Sequence, residues 1–210
     1  MGKNLNTKAI ILDLGGVIFE NGTKITIKYI NENYGIDKQI LNNIFYGELS
    51  WELRKGKISY RSFWDSMYMM FPDFFEIVNN NAELYWHNSY TINPSILKLL
   101  ANIKGSYTIG AISGNIRERI EFLEEKYHFS SLLDFAVYSF DFGEDKLSNK
   151  LYENAVFELN IRGIKPEESL FVDDNLDCLE TASKLGFHTY LFKDIENFIS
   201  ENDQLMIKEI

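Results

Sequence analysis

The sequence predicts an α/β protein in which a doubly wound, parallel, five-stranded Rossmann-like sheet carries an inserted all-helical segment. Three observations support this fold class. A first apolar run ends abruptly at Asp13, a long stretch with helical periodicity follows it, and short apolar runs then alternate with helical patterns after residue 93. Strands that alternate with helices form parallel sheets, because each crossover helix returns the chain to the same end of the sheet.

The first strand is predicted from the apolar residues 9–12, which precede Asp13 and the turn-forming pair Gly15 and Gly16. From about residue 24 to 87, large apolar side chains recur mainly at spacings of three and four. An insertion of roughly 65 such residues is too long and too apolar to be a loop. We therefore expect a core domain from residues 1–20 and 91–210 and a helical domain from residues 21–90.

Capping residues and breaks in periodicity predict the individual elements. Gly56 ends one helix of the insertion, Ser59 caps the next, and Pro72 stops that helix. After Pro94 the predicted order is helix PSILKLLANIK, strand YTIGAI, helix IRERIEFLEEKY, strand DFAVYS, a helix from about 149 to 159, strand SLFVD, helix DCLETASKLG, strand HTYLF and a last helix from about 195.

Composition excludes several classes of function. Of 210 residues, 45% are hydrophobic and 15% aromatic, which is enough for a globular core. Thirty-one acidic and 21 basic side chains give a net charge of −10, so we expect neither nucleic acid nor an anionic membrane as a partner. No apolar run reaches roughly 18 residues, and the start MGKNLNTK lacks a signal-peptide core, so we expect a cytoplasmic protein. The oligomeric state is left open.

Polar side chains occur where the predicted strands end. Asp13 ends the first strand, Ser113 the second, and Asp173 and Asp174 the fourth, while Lys146 lies in the loop after the third. Ligands of open α/β sheets bind at the carboxyl ends of the strands. Converging carboxylates repel one another unless a cation lies between them, and such hard oxygen ligands suit Mg²⁺.

A metal-bound carboxylate that faces a lysine, a hydroxyl group and a helix N-terminus is a suitable receptacle for a phosphoryl group. Asp13 is then a candidate nucleophile that attacks phosphorus and forms an aspartyl phosphate.

The order of these motifs resembles that of the haloacid dehalogenase-like (HAD) hydrolases that carry a helical cap after the first motif. DLGGV resembles the first loop of that family, ISGN the second, FGEDKLSNKLY the lysine-bearing third, and FVDDNLDCLETA the acidic fourth. The segment GELSWELRKGKISYRSFW resembles the cap helices. The likeness covers nearly the whole chain and implies a HAD-like sheet with an all-helical cap.

The resemblance assigns roles that the residues alone leave open. It implies a Mg²⁺-dependent phosphatase of a small phosphorylated metabolite, such as a sugar phosphate or a similar monoester. The roles that it implies are the following: Asp13 as nucleophile; Asp13, the Gly15 carbonyl, Asp173 and Asp174 at the metal; Lys146 and Ser113 at the phosphate; and Gly114, Asn115 and Arg117 as further substrate contacts.

The first motif departs from the family pattern. The family usually has an aspartate two residues after the nucleophile as general acid and base, and this chain has Gly15. Loss of that group would raise the barrier by roughly 3 to 5 kcal/mol. Glu20 is the nearest acidic residue downstream and is a candidate replacement. Gly114 and Leu147 also depart from the pattern, with Asn115 available to compensate for Gly114.

Alternatives remain open at this stage. The glycine at position 15 also suits a catalytically impaired HAD-fold protein that binds a phosphorylated ligand or a partner. A haloacid dehalogenase would likewise use an aspartate nucleophile, but it needs no metal, and the acidic pair at 173 and 174 argues against it. Arg117 suits either a substrate phosphate or solvent. The basic cluster of Arg54, Lys55 and Lys57 is interpreted as a solvated helix end, and Cys178 as a structural residue.

Overall fold

The protein is built on one sheet of five parallel strands, in the order β3-β2-β1-β4-β5. The structure is a computed structural model that describes residues 6–202. The strands are β1 (Ala9–Leu12), β2 (Thr108–Ser113), β3 (Phe135–Tyr138), β4 (Ser169–Asp173) and β5 (His188–Leu191). The predicted fold class is confirmed, and each strand lies where the sequence pattern placed it.

The register of the sheet brings the polar strand ends together. Leu12 of β1 lies opposite Ala111 of β2 on one side and Val172 of β4 on the other. The strand order therefore reverses direction around β1, which is where open α/β sheets bind their ligands. Asp13 and Asp173 follow these positions directly, so both reach the same edge of the sheet.

A helical segment, Gly22–Asn88, follows β1. All of these residues are described, and none of them lies in a strand. Ser59 caps the fourth helix by accepting a hydrogen bond from Ser62 N–H at 3.1 Å, as predicted. Pro72 does more than stop that helix, because it is the first residue of the next. The helices are α1 (Gly22–Tyr34), α2 (Lys38–Tyr46), α3 (Glu48–Arg54), α4 (Tyr60–Met70), α5 (Pro72–Ile77) and α6 (Ala82–Asn88).

The remaining helices pack around the sheet between and after the other strands. Their bounds agree with the predicted patterns to within about two residues, apart from the short α9, which the sequence analysis did not predict. They are α7 (Pro94–Ile103), α8 (Arg117–Tyr127), α9 (Ser139–Phe142), α10 (Asn149–Ile161), α11 (Leu176–Lys184) and α12 (Ile195–Glu201).

Two buried apolar clusters cover the two faces of the sheet. The larger joins one face, which includes Ile10, to helical-segment side chains such as Phe45 and Trp86. The smaller joins the other face, which includes Ile11 and Phe171, to α10 and α11. Burial of β1 on both faces accounts for its uninterrupted apolar sequence.

The chain passes twice between the sheet and the helical segment, and the two connections lie side by side. Phe19 bridges to Ile92 in the antiparallel sense. Glu20 N–H donates to the Thr91 carbonyl at 2.9 Å. The domain limits expected at 20/21 and 90/91 fall at this paired crossing, and the division into two domains stays a prediction.

Within residues 6–202, no helix combines the length and the apolar character that crossing a bilayer requires.

His87 of α6 lies at the junction of the helical segment with α8. Its Nε2 is 2.6 Å from Tyr60 Oη, and that hydroxyl group donates to Glu83 Oε1 at 2.8 Å. The imidazole ring packs against Phe122 with centroids 5.3 Å apart. Burial, with a smaller effect of the Arg119 charge, lowers the pKa of His87 to about 4. His87 is therefore neutral in the folded protein at pH 7.

Acid is expected to destabilise the fold through His87. The pKa is about 6.5 in the unfolded chain and about 4 in the folded one, so the unfolded state takes up the proton first as the pH falls from 6.5 to 4. The free energy of unfolding should fall by about 2 kcal/mol over that range from this group, allowing for partial exposure. Urea unfolding of the parent and of His87→Asn at pH 7 and pH 4 measures this fall in the free energy of unfolding.

The variant should show a smaller fall than the parent. His128→Asn, which alters an exposed histidine, is the control and should keep the parental fall. An identical fall in the parent and in His87→Asn would show that His87 does not carry this dependence.

Candidate active site

A cavity of about 630 Å³ lies at the carboxyl edge of the sheet, between the sheet and the helical segment. Side chains from both parts of the chain line it. The strand ends and the loops after them contribute Asp13, Gly15, Ser113, Gly114, Asn115, Lys146, Asp173 and Asp174. The helical segment and the connection that follows it contribute Thr23, Tyr46, Trp51, Arg54 and Tyr90. The structure thus brings together all but two of the predicted site residues.

Lys146 bridges two carboxylates at the floor of the cavity. Its Nζ lies 2.6 Å from Asp13 Oδ1 and 2.7 Å from Asp173 Oδ2. Asp13 Oδ1 also accepts a hydrogen bond from Leu14 N–H at 2.7 Å, which fixes the carboxylate just after β1. The acidic side chains beside Lys146 in sequence are not its ion-pair partners. The lysine reaches inward because its loop packs on the end of β2, where a Cβ on Gly114 would lie 3.4 Å from Lys146 Cβ.

The electrostatics of these groups follow from their burial. Burial raises the pKa of Asp13, Lys146 lowers it, and Asp173 and Asp174 raise it; the net result is a pKa of about 7. Burial lowers the pKa of Lys146, but the charges of Asp13 and Asp173 outweigh this effect and leave that pKa raised. Lys146 therefore stays protonated at neutral pH, while ionisation of Asp13 is unfavourable and would be favoured by an added cation.

Asp13, Asp173 and Asp174 converge on one point. Each offers a carboxylate oxygen within 4.8 Å of the others. They converge because β1 and β4 are adjacent and end at the same edge. Asp173 is held by Asn175 N–H, which donates to its Oδ1 at 2.8 Å, and Asp174 lies 3.5 Å from Lys24 Nζ. Clustered carboxylate oxygens are the donors that Mg²⁺ prefers, so this set fits a divalent cation.

Glycines shape the loop between Asp13 and the acidic pair. Gly16 has a φ of +101°, and a Cβ built on it would lie 2.6 Å from Asp174 Oδ2. Only glycine lets the backbone lie against that carboxylate. At Gly15 an added side chain would not clash with a carboxylate as it would at Gly16. A Cβ at Gly15 would meet the Tyr90 ring at 3.5 Å, so Tyr90 borders the space where the family usually has its acid.

Ser113 and Asn115 form the end of β2 and the loop that follows it. Ser113 Oγ accepts a hydrogen bond from Asn115 N–H at 3.2 Å. Asn115 Oδ1 accepts from Ile116 N–H at 3.2 Å and from Arg119 Nη1 at 3.1 Å. No side chain caps α8, whose N-cap residue is Ile116. Among the described residues the Ser113 hydroxyl group accepts a hydrogen bond and donates none, so its proton is available to a ligand in the cavity.

Glu20 and Arg117 lie outside the cavity, which corrects two expected roles. Glu20 lines a separate cavity with Lys193, because its backbone is paired with Thr91 at the crossing. It is not positioned to replace the missing acid. Arg117 pairs with Asp141 at 3.0 Å and covers the Phe140 ring at 4.2 Å, because α9 presents both side chains to the start of α8.

Arg54 corrects a third expectation, because it is buried and lines the cavity rather than ending a solvated helix. It is 8% exposed, whereas Lys57 is exposed. The buried residues of α3 are Ser50, Leu53 and Arg54, at positions i, i+3 and i+4. These residues share one face of the helix, but only Leu53 is apolar, so no hydrophobic pattern in the sequence marks Arg54 as buried.

Thr23 and Tyr90 are further cavity residues that the sequence analysis missed. Thr23 Oγ1 is hydrogen-bonded to Tyr90 Oη at 2.8 Å and accepts from Trp86 Nε1 at 2.9 Å. Burial would raise the pKa of Tyr90, but Arg119 and Arg54 outweigh it and hold that pKa below its usual value. Residues 23 and 90 meet only because the two crossings are adjacent, which local sequence patterns do not encode.

Cys178 of α11 lies at the edge of the same cavity and is 3% exposed. Burial raises the pKa of its thiol to about 12, an effect that the Lys146 charge only partly offsets. The structural role expected for this cysteine agrees with its burial in the smaller apolar cluster.

Comparisons with known proteins identify the class. The family model of haloacid dehalogenase-like hydrolases matches residues 7–186. An uncharacterised protein of Dictyostelium discoideum is 33% identical over 154 residues, which is 70% of this chain and 65% of that protein. The chain therefore belongs to the haloacid dehalogenase-like hydrolases, and it spans slightly less than two thirds of the length of this relative.

Solved structures share the fold. A HAD family enzyme of Bacteroides thetaiotaomicron in complex with magnesium and inorganic phosphate is similar with a TM-score of 0.70 and 19% identity, over 91% of this chain and 98% of that chain. An L-2-haloacid dehalogenase is similar with a TM-score of 0.60 and 16% identity, over 87% and 83% of the two chains. At these identities the likeness establishes the fold alone, and the fold hosts more than one chemistry.

Gly16→Ala is expected to weaken binding of Mg²⁺. The added Cβ would displace the Asp174 carboxylate, and loss of a correctly placed group at a metal site typically costs about 10- to 100-fold in affinity. Calorimetric titration of the purified protein with Mg²⁺ measures the change.

Gly35→Ala is the matched control. Gly35 also has a positive φ, +68°, but an added Cβ there meets nothing within 4 Å. This variant should lose some stability from backbone strain and keep the parental Mg²⁺ affinity. Equal affinities in the parent and in Gly16→Ala would contradict the role of Asp174 at the metal.

Proposed function

We propose that this hydrolase is a Mg²⁺-dependent phosphatase that cleaves a small phosphorylated metabolite through an aspartyl phosphate on Asp13. A sugar phosphate or a similar monoester fits the size of the cavity. The observation that carries the proposal is the bridge of Lys146 between Asp13 and Asp173 within a cluster of three carboxylates. We also propose a cytoplasmic site of action, because a single cysteine in 210 residues suits a reducing compartment.

The residues that would hold Mg²⁺ are Asp13, Asp173, Asp174 and the backbone carbonyl of Gly15. Bound there, the ion would neutralise the repulsion among the carboxylates and attract phosphoryl oxygens. The Bacteroides thetaiotaomicron enzyme with magnesium and inorganic phosphate supports this assignment as a relative of the same fold.

In the proposed reaction, Asp13 acts as the nucleophile, and Lys146 and Ser113 bind the phosphoryl group. A carboxylate oxygen of Asp13 attacks phosphorus, the ester P–O bond breaks, and the leaving oxygen takes up a proton. Lys146 and Ser113 bind phosphoryl oxygens through their ammonium and hydroxyl protons, which offsets the negative charge on the transferred group. Water then attacks the acyl phosphate, which releases inorganic phosphate and restores Asp13.

Gly15 sets a limit on this chemistry. No carboxyl group stands two residues after Asp13, and Glu20 lies outside the cavity, so the leaving oxygen lacks the general acid that the family usually places there. We infer that esters with acidic leaving groups react fastest, because they depart with little protonation.

Two other functions are compatible with part of this site. A haloacid dehalogenase also uses an aspartate nucleophile and shares this fold, but it gives no role to the acidic pair Asp173 and Asp174. A catalytically impaired protein that binds a phosphorylated ligand would keep the same cavity, and Gly15 is the observation that favours it. Assays of turnover and of binding separate these functions.

Asp13→Asn is expected to abolish phosphate release while preserving the shape of the site. Loss of the nucleophile should lower turnover by about 10³-fold or more. The assay is phosphate release from a panel of phosphomonoesters with Mg²⁺ and with a chelator, and 2-haloacids are included as a separate arm. Activity of the parent should require the metal.

Asp177→Asn, at an exposed carboxylate of α11, is the control and should keep parental turnover. No phosphate release from any ester by a folded protein that binds Mg²⁺ would favour the ligand-binding protein. Halide release that survives the chelator would favour the dehalogenase.

Gly15→Asp is expected to speed the hydrolysis of alkyl phosphates by about 10²-fold, because it supplies a general acid. In the parent, kcat/KM should fall steeply as the pKa of the leaving alcohol rises across a series of aryl and alkyl phosphates, and the variant should flatten that dependence. Gly15→Asn, which has the same shape without a transferable proton, is the control. Equal rates for the two variants would refute the inference.

A further inference from the structure

Arg54 is a buried cation on the helical wall of the active-site cavity. Within residues 6–202, no carboxylate lies within ion-pair distance of its guanidinium group. The other cations of the cavity differ in this respect. Lys146 pairs with Asp13 and Asp173, and Lys55 pairs with Glu52. Arg54 therefore contributes a positive charge to the cavity that forms no direct ion pair with any described carboxylate.

The hydrogen bonds of Arg54 use little of its capacity. Nη1 donates to the Gly114 carbonyl at 3.3 Å and Nη2 to Thr23 Oγ1 at 3.4 Å, both of which are long. Its Nε is buried and has no partner in the described chain. A guanidinium group has five N–H donors, so most of its hydrogen-bonding potential is left for a ligand.

Aromatic side chains fix the position of the guanidinium group. Its central carbon lies 5.3 Å from the ring centroid of Trp51, 5.8 Å from that of Trp86 and 5.9 Å from that of Tyr46. Packing of this kind holds a cation in place without neutralising it. Burial of an unpaired charge destabilises the protein until an anion binds, so a site of this kind is adapted to an anionic ligand.

The position of Arg54 indicates which part of a ligand it meets. It contacts Gly114, the residue after Ser113, from the side of the helical segment. Ser113 and Lys146 face the phosphoryl position from the side of the sheet. Arg54 thus lies beside the phosphoryl position, where the rest of the substrate extends into the cavity.

Arg119 is also buried without a carboxylate partner among residues 6–202, but it plays a different part. It is sandwiched between the rings of Trp86 and Tyr90 at 4.1 and 4.2 Å and does not line the cavity. It donates to Asn115 Oδ1 and to the Trp86 carbonyl. Arg119 supports the wall, and Arg54 is the residue that a ligand can reach.

We propose that Arg54 binds a second anionic group of the substrate, a carboxylate or a second phosphate, next to the phosphoryl group that is cleaved. Both groups present two oxygens that match the fork of a guanidinium group. The inference rests on the proposed phosphatase function for the identity of the first phosphoryl group. It narrows the substrate class to phosphorylated hydroxy acids and small bisphosphates.

Binding to the Asp13→Asn variant with Mg²⁺ tests the proposal without turnover. Two pairs of ligands differ in the second anion: 3-phosphoglycerate against glycerol 3-phosphate, and fructose 1,6-bisphosphate against fructose 6-phosphate. Calorimetry should show that the second anion strengthens binding about 10-fold or more in at least one pair, and the pair that responds distinguishes carboxylate from phosphate. Arg54→Met in the same background should abolish that advantage and leave nearly unchanged the affinity for the ligand of each pair that has the phosphate as its single anionic group.

Two further variants make the result specific. Lys55→Met removes the neighbouring cation, which is already paired with Glu52, and should keep the advantage. Arg54→Lys keeps the charge without the planar fork and should retain only part of the advantage. It also replaces Arg54→Met if thermal unfolding shows that the methionine variant does not fold.

Three outcomes would overturn the proposal: equal weakening of both members of a pair in Arg54→Met, no preference for the second anion in either pair, or no binding of any of the four ligands. Phosphate release by the parent chain is measured separately. If Arg54-dependent binding persists without any phosphate release, the phosphatase function fails and the anion site stands. If phosphate is released without an Arg54-dependent preference, the phosphatase function stands and the proposed anion site fails.

Discussion

Three carboxylates and one ammonium group converge at one point on the edge of the sheet, and the rest of the site depends on this constraint. Like charges at this separation repel, so the fold must hold them. Adjacent strands β1 and β4 deliver Asp13 and Asp173 from neighbouring backbones, and Lys146 connects them. The close approach of Gly16 to Asp174 completes the arrangement. The site therefore forms because β1 and β4 are adjacent, and Gly16 allows the backbone to approach Asp174 closely.

The sequence predicted the strands and the residues at their ends because both follow from short-range patterns. A buried parallel strand is an apolar run, and the edge where such strands end is common to all of them. The positions of Asp13, Ser113, Asp173 and Asp174 needed no knowledge of side-chain orientation. Lys146 was harder, because acidic neighbours in sequence offered it local partners, and only the packing of its loop on Gly114 directs it inward.

Residues outside the strand ends could not be assigned in this way. Glu20 and Arg117 are close to the site in sequence, but the pairing with Thr91 and the side chains of α9 direct them elsewhere. Arg54 and Tyr90 are distant in sequence and reach the cavity only through the packing of the helical segment on the sheet. For Arg54 the neighbouring basic residues favoured a solvated helix end, and its polar neighbour Ser50 on the buried face gave no contrary signal. Long-range packing accounts for each of these differences.

Cys178 carries a consequence for redox chemistry. Thiol oxidation and alkylation proceed through the thiolate, and a thiol with a pKa of about 12 has almost none at neutral pH. The carboxylate cluster beside it disfavours a further negative charge for the same reason that it favours a cation. Burial is thus the main protection of a cysteine at the edge of this cavity, and the nearby carboxylates add to it. Peroxide in the surroundings would act on exposed methionines such as Met69 before it modified this site.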